Sequence, residues 1–227
     1  MSAIRKLAIE AADNGLIPHE IANSIARARG VKQRGVRTGN WLTLSQAQEL
    51  LRCPDLASLK GVRDRAILAL LLGCALRRSE LAALRFEHLQ QRDGRWAIVD
   101  IIGKGGRVRT VPVPAWVKVA IDQWTTASGI GAGPVFRSVL KGGRLGSSLN
   151  EKTVWRVLLE YSTSAGLQPI APHDLRRTCA KLCRAAGGDL EQIQFLLGHA
   201  SIQTTERYLG TEQDLAHAPN DRIRLKL

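Results

Sequence analysis

Apolar residues recur with a helical period along most of the chain, and the pattern changes to that of β-strands only near its middle. The two strand-like segments, 95–102 and 107–113, are rich in β-branched residues, and the glycine-rich stretch 103–106 between them indicates a hairpin. Periodicity, capping residues and glycine stops predict helices over 2–14, from Pro18 to Gly30, 43–53, 61–72, around 77–84, 115–127, 150–164, 173–186, 189–197 and 201–209. The sequence therefore predicts a mainly α protein with a small antiparallel β-sheet, in the α+β class.

The predicted elements divide the chain into four parts. Residues 1–30 hold two short helices, which cannot bury a core alone, and we interpret them as an appendage. A linker over 31–41, a main domain over 42–209 and a tail over 210–227 follow. The stretch from 27 to 37 contains no acid and carries Arg27, Arg29, Lys32, Arg34 and Arg37. These cations suit contact with a phosphate backbone, although an ordinary solvated linker has the same composition.

Positive charge is the strongest compositional feature. The 33 lysines and arginines exceed the 20 acids and give a net charge of +13, which favours a nucleic acid partner. A membrane-surface helix would need aromatic residues on its apolar face, and no segment has that pattern. The longest apolar run, 66–76, is too short to span a bilayer, and the N-terminus has no secretory pattern. We expect a cytoplasmic, nucleoid-associated protein without a membrane partner.

The cysteines do not indicate a metal site or a disulfide framework. None of the four forms a C-x-x-C pair, and Cys179 and Cys183 share one predicted helix face with Leu175 and Leu182. We expect reduced thiols that pack in the core, with no metal and no cofactor.

Six side chains suited to phosphate chemistry lie near the ends of predicted elements. They are Arg77, Lys104, His173, Arg176, His199 and Tyr208. His173 and Arg176 are three residues apart at the start of a helix, so both project from one face. Taken singly, each of the six has an ordinary explanation as an exposed cation, a hairpin lysine or a capping histidine.

Four segments in this order resemble the tyrosine recombinases, the phage integrase group. GCALRRSELAALRFEHL (73–89) resembles the first signature of that family, and IGKGGRVRTVPV (102–113) resembles its β-hairpin lysine segment. PHDLRRT (172–178) resembles its H-x-x-R motif, and LGHASIQTTERY (197–208) resembles the last motif, which holds the nucleophile. The resemblance runs from about Thr43 to Tyr208 and implies an integrase-like catalytic domain that breaks and rejoins DNA.

Elementary chemistry favours the same residues. Two guanidinium groups can bind the non-bridging oxygens of a phosphodiester, so Arg77 and Arg176 are the natural pair to stabilise a five-coordinate phosphorus. His199 would donate to a non-bridging oxygen. Because arginines neutralise the phosphate, this reaction needs no metal.

Tyr208 is the predicted nucleophile. The chain has two tyrosines, and Tyr161 lies at the end of an amphipathic helix, where we expect it to pack. A phenol has a pKa near 10 and loses its proton during attack, for which His173 is the candidate general base. Lys104 would protonate the departing 5′ oxygen. The product is a covalent 3′-phosphotyrosine, which a 5′ hydroxyl can reverse without ATP.

Two supporting assignments are less specific. Glu80 follows Arg77 by three residues and resembles an acidic position of the family, so it either holds the arginines in place or forms a plain surface ion pair. Arg177, with Lys181 and Arg184, forms a basic stripe on the helix of Arg176. That stripe is a candidate DNA contact or a solvated helix face.

The predicted function is site-specific DNA recombination of the integrase or excisionase type, as found in mobile genetic elements. We expect a homotetramer on double-stranded DNA, and leave open a monomer in isolation and accessory DNA-bending proteins. The alternatives are a catalytically silent DNA-binding relative and a type IB topoisomerase-like enzyme that relaxes supercoils. The family usually has a helical core-binding domain, and residues 1–30 resemble its remnant. In related enzymes a C-terminal tail is exchanged between protomers, as 210–227 could be.

Overall fold

The computed structural model describes residues 2–28, 40–103, 106 and 108–210. The chain forms two compact units that divide between residues 37 and 38. The first unit is a pair of helices, α1 (Ser2–Asp13) and α2 (His19–Arg27). Its small core consists of Ala8, Ala12 and Ala22, with Ile17 and Ile25 packed against them. This core buries little apolar area, as expected for two short helices.

The second unit combines helices with one small sheet. Its helices are α3 (Leu44–Arg52), α4 (Leu59–Cys74), α5 (Arg78–Ala82), α6 (Ala115–Ser128), α7 (Glu151–Ser164), α8 (Pro172–Ala185), α9 (Leu190–Leu197) and α10 (Ile202–Leu209). Its strands are β1 (Leu89–Arg92), β2 (Arg95–Ile102) and β3 (Val108–Pro112), antiparallel in the order β1-β2-β3. The predicted α+β class, mainly helical with a small antiparallel sheet, is confirmed.

Helix α4 is the centre of the core. Its second half, 66–74, is apolar on all sides, which is the pattern of a helix surrounded by protein, and Ile67, Leu68, Leu70 and Leu71 are fully buried. Helix α6 packs so closely on it that a Cβ on Gly73 would lie 2.4 Å from Val117 Cγ2. None of the helices in the described residues combines the length and the hydropathy that a membrane span requires.

The chain leaves α4 at Ala75, whereas the sequence predicted that this helix ends at residue 72. Gly73 lies inside the helix, where the contact with α6 requires its small size. Ala75 instead adopts a left-handed conformation with φ 49° and ends the helix. The next helix, α5, is shorter than predicted, and Arg77 is its N-terminal cap residue rather than part of it. The side chain of this cap residue is 30% exposed.

The sheet has one strand more than the sequence indicated. Strand β2 was predicted with its exact bounds, and β3 lies within the predicted 107–113. Strand β1 has the sequence LQQR, which is short and lacks β-branched residues, so its pairing with β2 decides its structure. Lys104 of the predicted hairpin lies outside the described residues.

Candidate active site

Four helix ends meet in the second unit, and they carry five of the six predicted residues. Arg77 caps α5, His173 and Arg176 lie in α8, His199 follows α9, and Tyr208 lies in α10. The start of α8 is fixed by Pro172 at its first position and by the carboxylate of Asp174, which accepts from the Ala171 amide at 2.9 Å. Lys104, the sixth residue, lies outside the described part of the chain.

Arg176 is buried in the centre of this cluster and is only 1% exposed. One terminal nitrogen donates to the carbonyl oxygen of Ala75 and the other to that of Leu197. Burial, together with the charges of Arg77 and Arg109, lowers the pKa of Arg176 to about 10, so the group stays cationic at neutral pH. The buried guanidinium of Arg176 therefore lies between the C-terminal ends of α4 and α9.

Glu80 is also buried and binds two arginines. Its Oε1 accepts from Arg77 Nη1 at 2.6 Å and its Oε2 accepts from the Arg77 amide at 2.7 Å. Arg109 of β3 donates to the same two oxygens at 2.7 and 2.8 Å. Burial opposes the charge of Glu80, but the hydrogen bonds from Arg109 and Arg77 outweigh it and hold the pKa at about 2. The observed contact is a buried network, unlike the surface ion pair that was the alternative.

Arg109 was not among the predicted site residues. A signal was present, because β3 alternates along its length and Arg109 lies two residues before the buried Val111, on the same face of the strand. An arginine on a buried face requires an acidic partner, and Glu80 supplies it. The partner lies 29 residues away in the sequence, so the pairing is visible only in the fold.

Tyr208 lies between the two histidines. Its ring centroid is 5.5 Å from that of His173 and 5.3 Å from that of His199, both in edge-to-face geometry. Its hydroxyl donates to the main-chain oxygen of His173 at 3.2 Å. Burial raises the pKa of Tyr208 to about 12, although Arg176 and Arg177 act in the opposite direction. The phenol is therefore protonated at neutral pH and requires a base.

Both histidines are neutral at pH 7. Burial and the charge of Arg176 lower the pKa of His199 to about 4, and the same two causes lower the pKa of His173. His199 Nδ1 lies 3.0 Å from Oγ1 of the buried Thr205. When the threonine hydroxyl donates to Nδ1, the ring proton is on Nε2.

A cavity of about 430 Å³ opens beside the cluster, and both Arg77 and Arg176 line it together with His173. The ion pair between Arg78 and Glu151, at 3.0 Å, lies at its wall. His199 and Arg109 line a second cavity of about 330 Å³ between β3 and α9. The two arginines expected to bind one phosphate thus share one opening.

The remaining predicted residues are placed as follows. Arg177 lies with its guanidinium carbon 4.9 Å from the Tyr208 ring centroid, so it contacts the predicted nucleophile. Arg27 is exposed at the end of α2, and the linker residues Arg29, Lys32, Arg34 and Arg37 lie outside the described residues. Tyr161 packs as expected, and its hydroxyl donates to Asp64 Oδ2 at 3.1 Å. The four cysteines are free, with Cys74 and Cys179 buried.

Known proteins are similar to this chain in sequence. The tyrosine recombinase XerC of Xylella fastidiosa (strain M23) is 37% identical over 166 residues, which cover 69% of this chain and 54% of that protein. The tyrosine recombinase XerC of Xanthomonas campestris pv. campestris (strain B100) is 34% identical over 204 residues, which cover 89% and 60%. The chain therefore spans between half and two thirds of the length of these relatives.

Two solved structures have the same fold at low sequence identity. The XerH site-specific recombinase bound to palindromic difH substrate, in a post-cleavage complex, matches with a TM-score of 0.66 at 22% identity, over 82% of this chain and 54% of that one. A lambda integrase dimer bound to a COC′ core site matches with a TM-score of 0.65 at 21% identity, over 93% and 60%. A model of the phage integrase family matches residues 40–214, and so the chain belongs to the phage integrase family.

Proposed function

We propose that this chain carries the catalytic part of a site-specific DNA recombinase that cuts and rejoins strands through a 3′-phosphotyrosine. The observation that carries the proposal is that Arg77 and Arg176 line one cavity, while Tyr208 lies between His173 and His199 beside them. The names of the XerC relatives support the same reaction. The proposed partner is double-stranded DNA, on which four copies act together in the cytoplasm, at the nucleoid.

The two arginines bind the scissile phosphate in this proposal. Arg176 uses one N–H of each terminal nitrogen on a carbonyl oxygen, and each of those nitrogens carries a second N–H. Arg77 is 30% exposed at its side chain and uses Nη1 on Glu80, which leaves Nη2 for the phosphate. Both groups are fixed before DNA arrives, so they stabilise the developing charge without reorganisation.

The nucleophile and its proton donors complete the reaction. Tyr208 attacks phosphorus and its proton passes to His173, which is neutral and able to accept it. His199 donates from Nε2 to a non-bridging oxygen, because Thr205 binds Nδ1. Lys104, proposed here as the acid, gives a proton to the 5′ oxygen as the P–O bond breaks. One P–O bond forms and one breaks, so the step is reversible without ATP or metal.

The parts outside the catalytic unit have proposed roles as well. The α1–α2 unit is the remnant of a core-binding domain, and the linker over 31–41, together with Arg27, follows the DNA backbone. Arg177 contributes a cation near the phosphate through its position on the Tyr208 ring. The tail over 210–227 is the segment proposed for exchange between copies.

Covalent capture tests this function. A pool of nicked duplexes, tiled from the DNA that flanks the gene, is incubated with the protein, and detergent-stable adducts are recovered and sequenced. Wild type is expected to yield adducts on one enriched sequence, Tyr208→Phe to yield none while still binding DNA, and the matched control Tyr161→Phe to yield them normally. Binding without any adduct would indicate a silent DNA-binding protein, and relaxation of supercoils without exchange between duplexes would indicate a topoisomerase.

A further inference from the structure

Arg109 connects the hairpin to the candidate site, although no predicted role uses it. Its side chain is only 8% exposed, and it reaches from β3 to Glu80, next to the cap residue of α5. Both terminal nitrogens bind the carboxylate, one to each oxygen, in the two-pronged geometry that only arginine provides. Both terminal nitrogens of Arg109 are therefore engaged on one protein carboxylate.

The shared carboxylate fixes Arg77. Two donors from Arg77 and two from Arg109 occupy both oxygens of Glu80, so the carboxylate cannot rotate about its terminal bond without losing hydrogen bonds. Without Arg109, Glu80 would be a buried carboxylate with one cationic partner and free space on one side. Arg77 would then move together with its loosened acceptor.

The aliphatic part of Arg109 contacts the other half of the site. A Cβ on Gly198 would lie 2.8 Å from Arg109 Cδ, so the side chain crosses the backbone immediately before His199. Gly198 also has a φ of +61°, which excludes most side chains for a second reason. The position of Arg109 and the path of the chain into His199 therefore depend on each other.

We propose that Arg109 is a positioning residue, which holds Arg77 through Glu80 and the His199 backbone through Gly198 so that both groups face one phosphate. The inference rests on the proposed strand-cleavage function, because its readout is the rate of that reaction. We assign Arg109 no contact with the phosphate, because it does not line the cavity that Arg77 and Arg176 share and both of its terminal nitrogens bind Glu80.

The role predicts a loss of rate rather than of DNA affinity. A displacement of catalytic groups by about 1 Å lowers the rate by roughly 100-fold. Arg109→Lys keeps the charge but lacks the two-pronged contact, and Arg109→Met removes both. The matched control is Arg92→Met, which removes an exposed cation from β1 of the same sheet.

Single-turnover cleavage of the captured nicked duplex, with the dissociation constant measured in parallel, separates the two effects. Both Arg109 variants are expected to cleave about 100-fold more slowly with a DNA affinity within about 3-fold of wild type, whereas the control cleaves normally. Adding Glu80→Gln to either Arg109 variant should slow cleavage little further, because Arg109 and Glu80 act together. Wild-type rates in Arg109→Lys would overturn the inference while the proposed function stands.

Hydrogen exchange of the free protein provides a readout that does not depend on cleavage. In Arg109→Lys, amides of 76–82 and 196–200 are expected to exchange faster than in wild type, while α4 and α6 remain protected. Unchanged exchange in both segments would overturn the positioning role even if cleavage is slow. Absence of any wild-type adduct would instead overturn the proposed function, and the positioning role of Arg109 in cleavage with it.

Discussion

The guanidinium of Arg176 donates to the carbonyl oxygen of Ala75, the residue that ends α4 in a left-handed conformation. Its other terminal nitrogen donates to Leu197, the last residue of α9. The free carbonyls at two helix ends are thus satisfied by one side chain, which also lines the candidate phosphate cavity. Stability and the proposed chemistry depend on the same group.

Arg176→Met is therefore expected to destabilise the protein as well as to abolish cleavage. The substitution leaves two buried carbonyl groups unpaired, and each costs about 1–3 kcal/mol, so the free energy of unfolding should fall by about 2–6 kcal/mol. Urea unfolding followed by circular dichroism measures this change. Arg184→Met is the control on the same helix, because Arg184 donates to the carbonyl oxygen of Gly188 near the surface. Equal unfolding midpoints for the two variants would contradict the prediction.

Thr205→Val is expected to slow cleavage by about 5-fold. Valine has nearly the same shape but cannot bind His199 Nδ1, and the loss of one hydrogen bond of about 1 kcal/mol releases the ring and its tautomer. Thr204→Val, at the exposed neighbouring position of α10, is the matched control. Single-turnover cleavage rates on the captured duplex test this prediction. Similar rates in both variants would show that Thr205 does not contribute to cleavage.

The free energy of unfolding should decrease in two successive ranges as the pH is lowered. His199 has a pKa of about 4 in the fold against 6.5 when unperturbed, so the unfolded chain binds a proton that the folded chain does not, and stability decreases from about pH 6.5 to 4. The lowered pKa of His173 acts in the same direction. Glu80, with a pKa of about 2 against 4.5, contributes stability that is lost below about pH 4.5.

Unfolding measured at a series of pH values tests both ranges. His199→Gln should flatten the upper range and leave the lower one unchanged, whereas Glu80→Gln should do the opposite. An undiminished decrease between pH 6.5 and 4 in His199→Gln would show that another group causes it.

Lys104→Ala is expected to cleave an ordinary duplex at least about 100-fold more slowly than wild type, because the 5′ oxygen then leaves without an acid. A substrate with sulfur at that bridging position needs no proton, so it should be cleaved by the variant almost as fast as by wild type. The control is Lys141→Ala, which removes an exposed lysine of the same unit that has no proposed role in cleavage. A variant that remains slow on the sulfur substrate would exclude Lys104 as the acid.

The sequence predicted elements well where local signals are strong. The helix predicted over 43–53 and the β-branched segment of β2 agree nearly exactly with the structure, in which Thr43 and Gln46 form a capping box before α3. Strand β1 was missed because its four residues carry no strand preference of their own. The end of α4 at Ala75 was not predicted, because a left-handed alanine is disfavoured locally. Its conformation is fixed by buried neighbours and by Arg176.

The same distinction between local signals and contacts in the fold applies to the candidate site. Arg77, His173, Arg176, His199 and Tyr208 could be selected because their motifs resemble a family, and the fold brings them together. Arg109 and Thr205 could not be selected, since their importance comes from partners that only the folded chain places beside them. Resemblance therefore predicted the groups proposed to touch the phosphate, whereas the structure supplied those that orient them.

Tyr208 follows all the other candidate catalytic groups in the chain, and its helix packs on α8 and α9, which are made earlier. During synthesis, the ribosome therefore completes the arginines and histidines before it adds the phenol. Under the proposed function, a nascent chain can hold a phosphate but cannot cut a strand. Under that function, strand cleavage would therefore have to wait until α10 is complete.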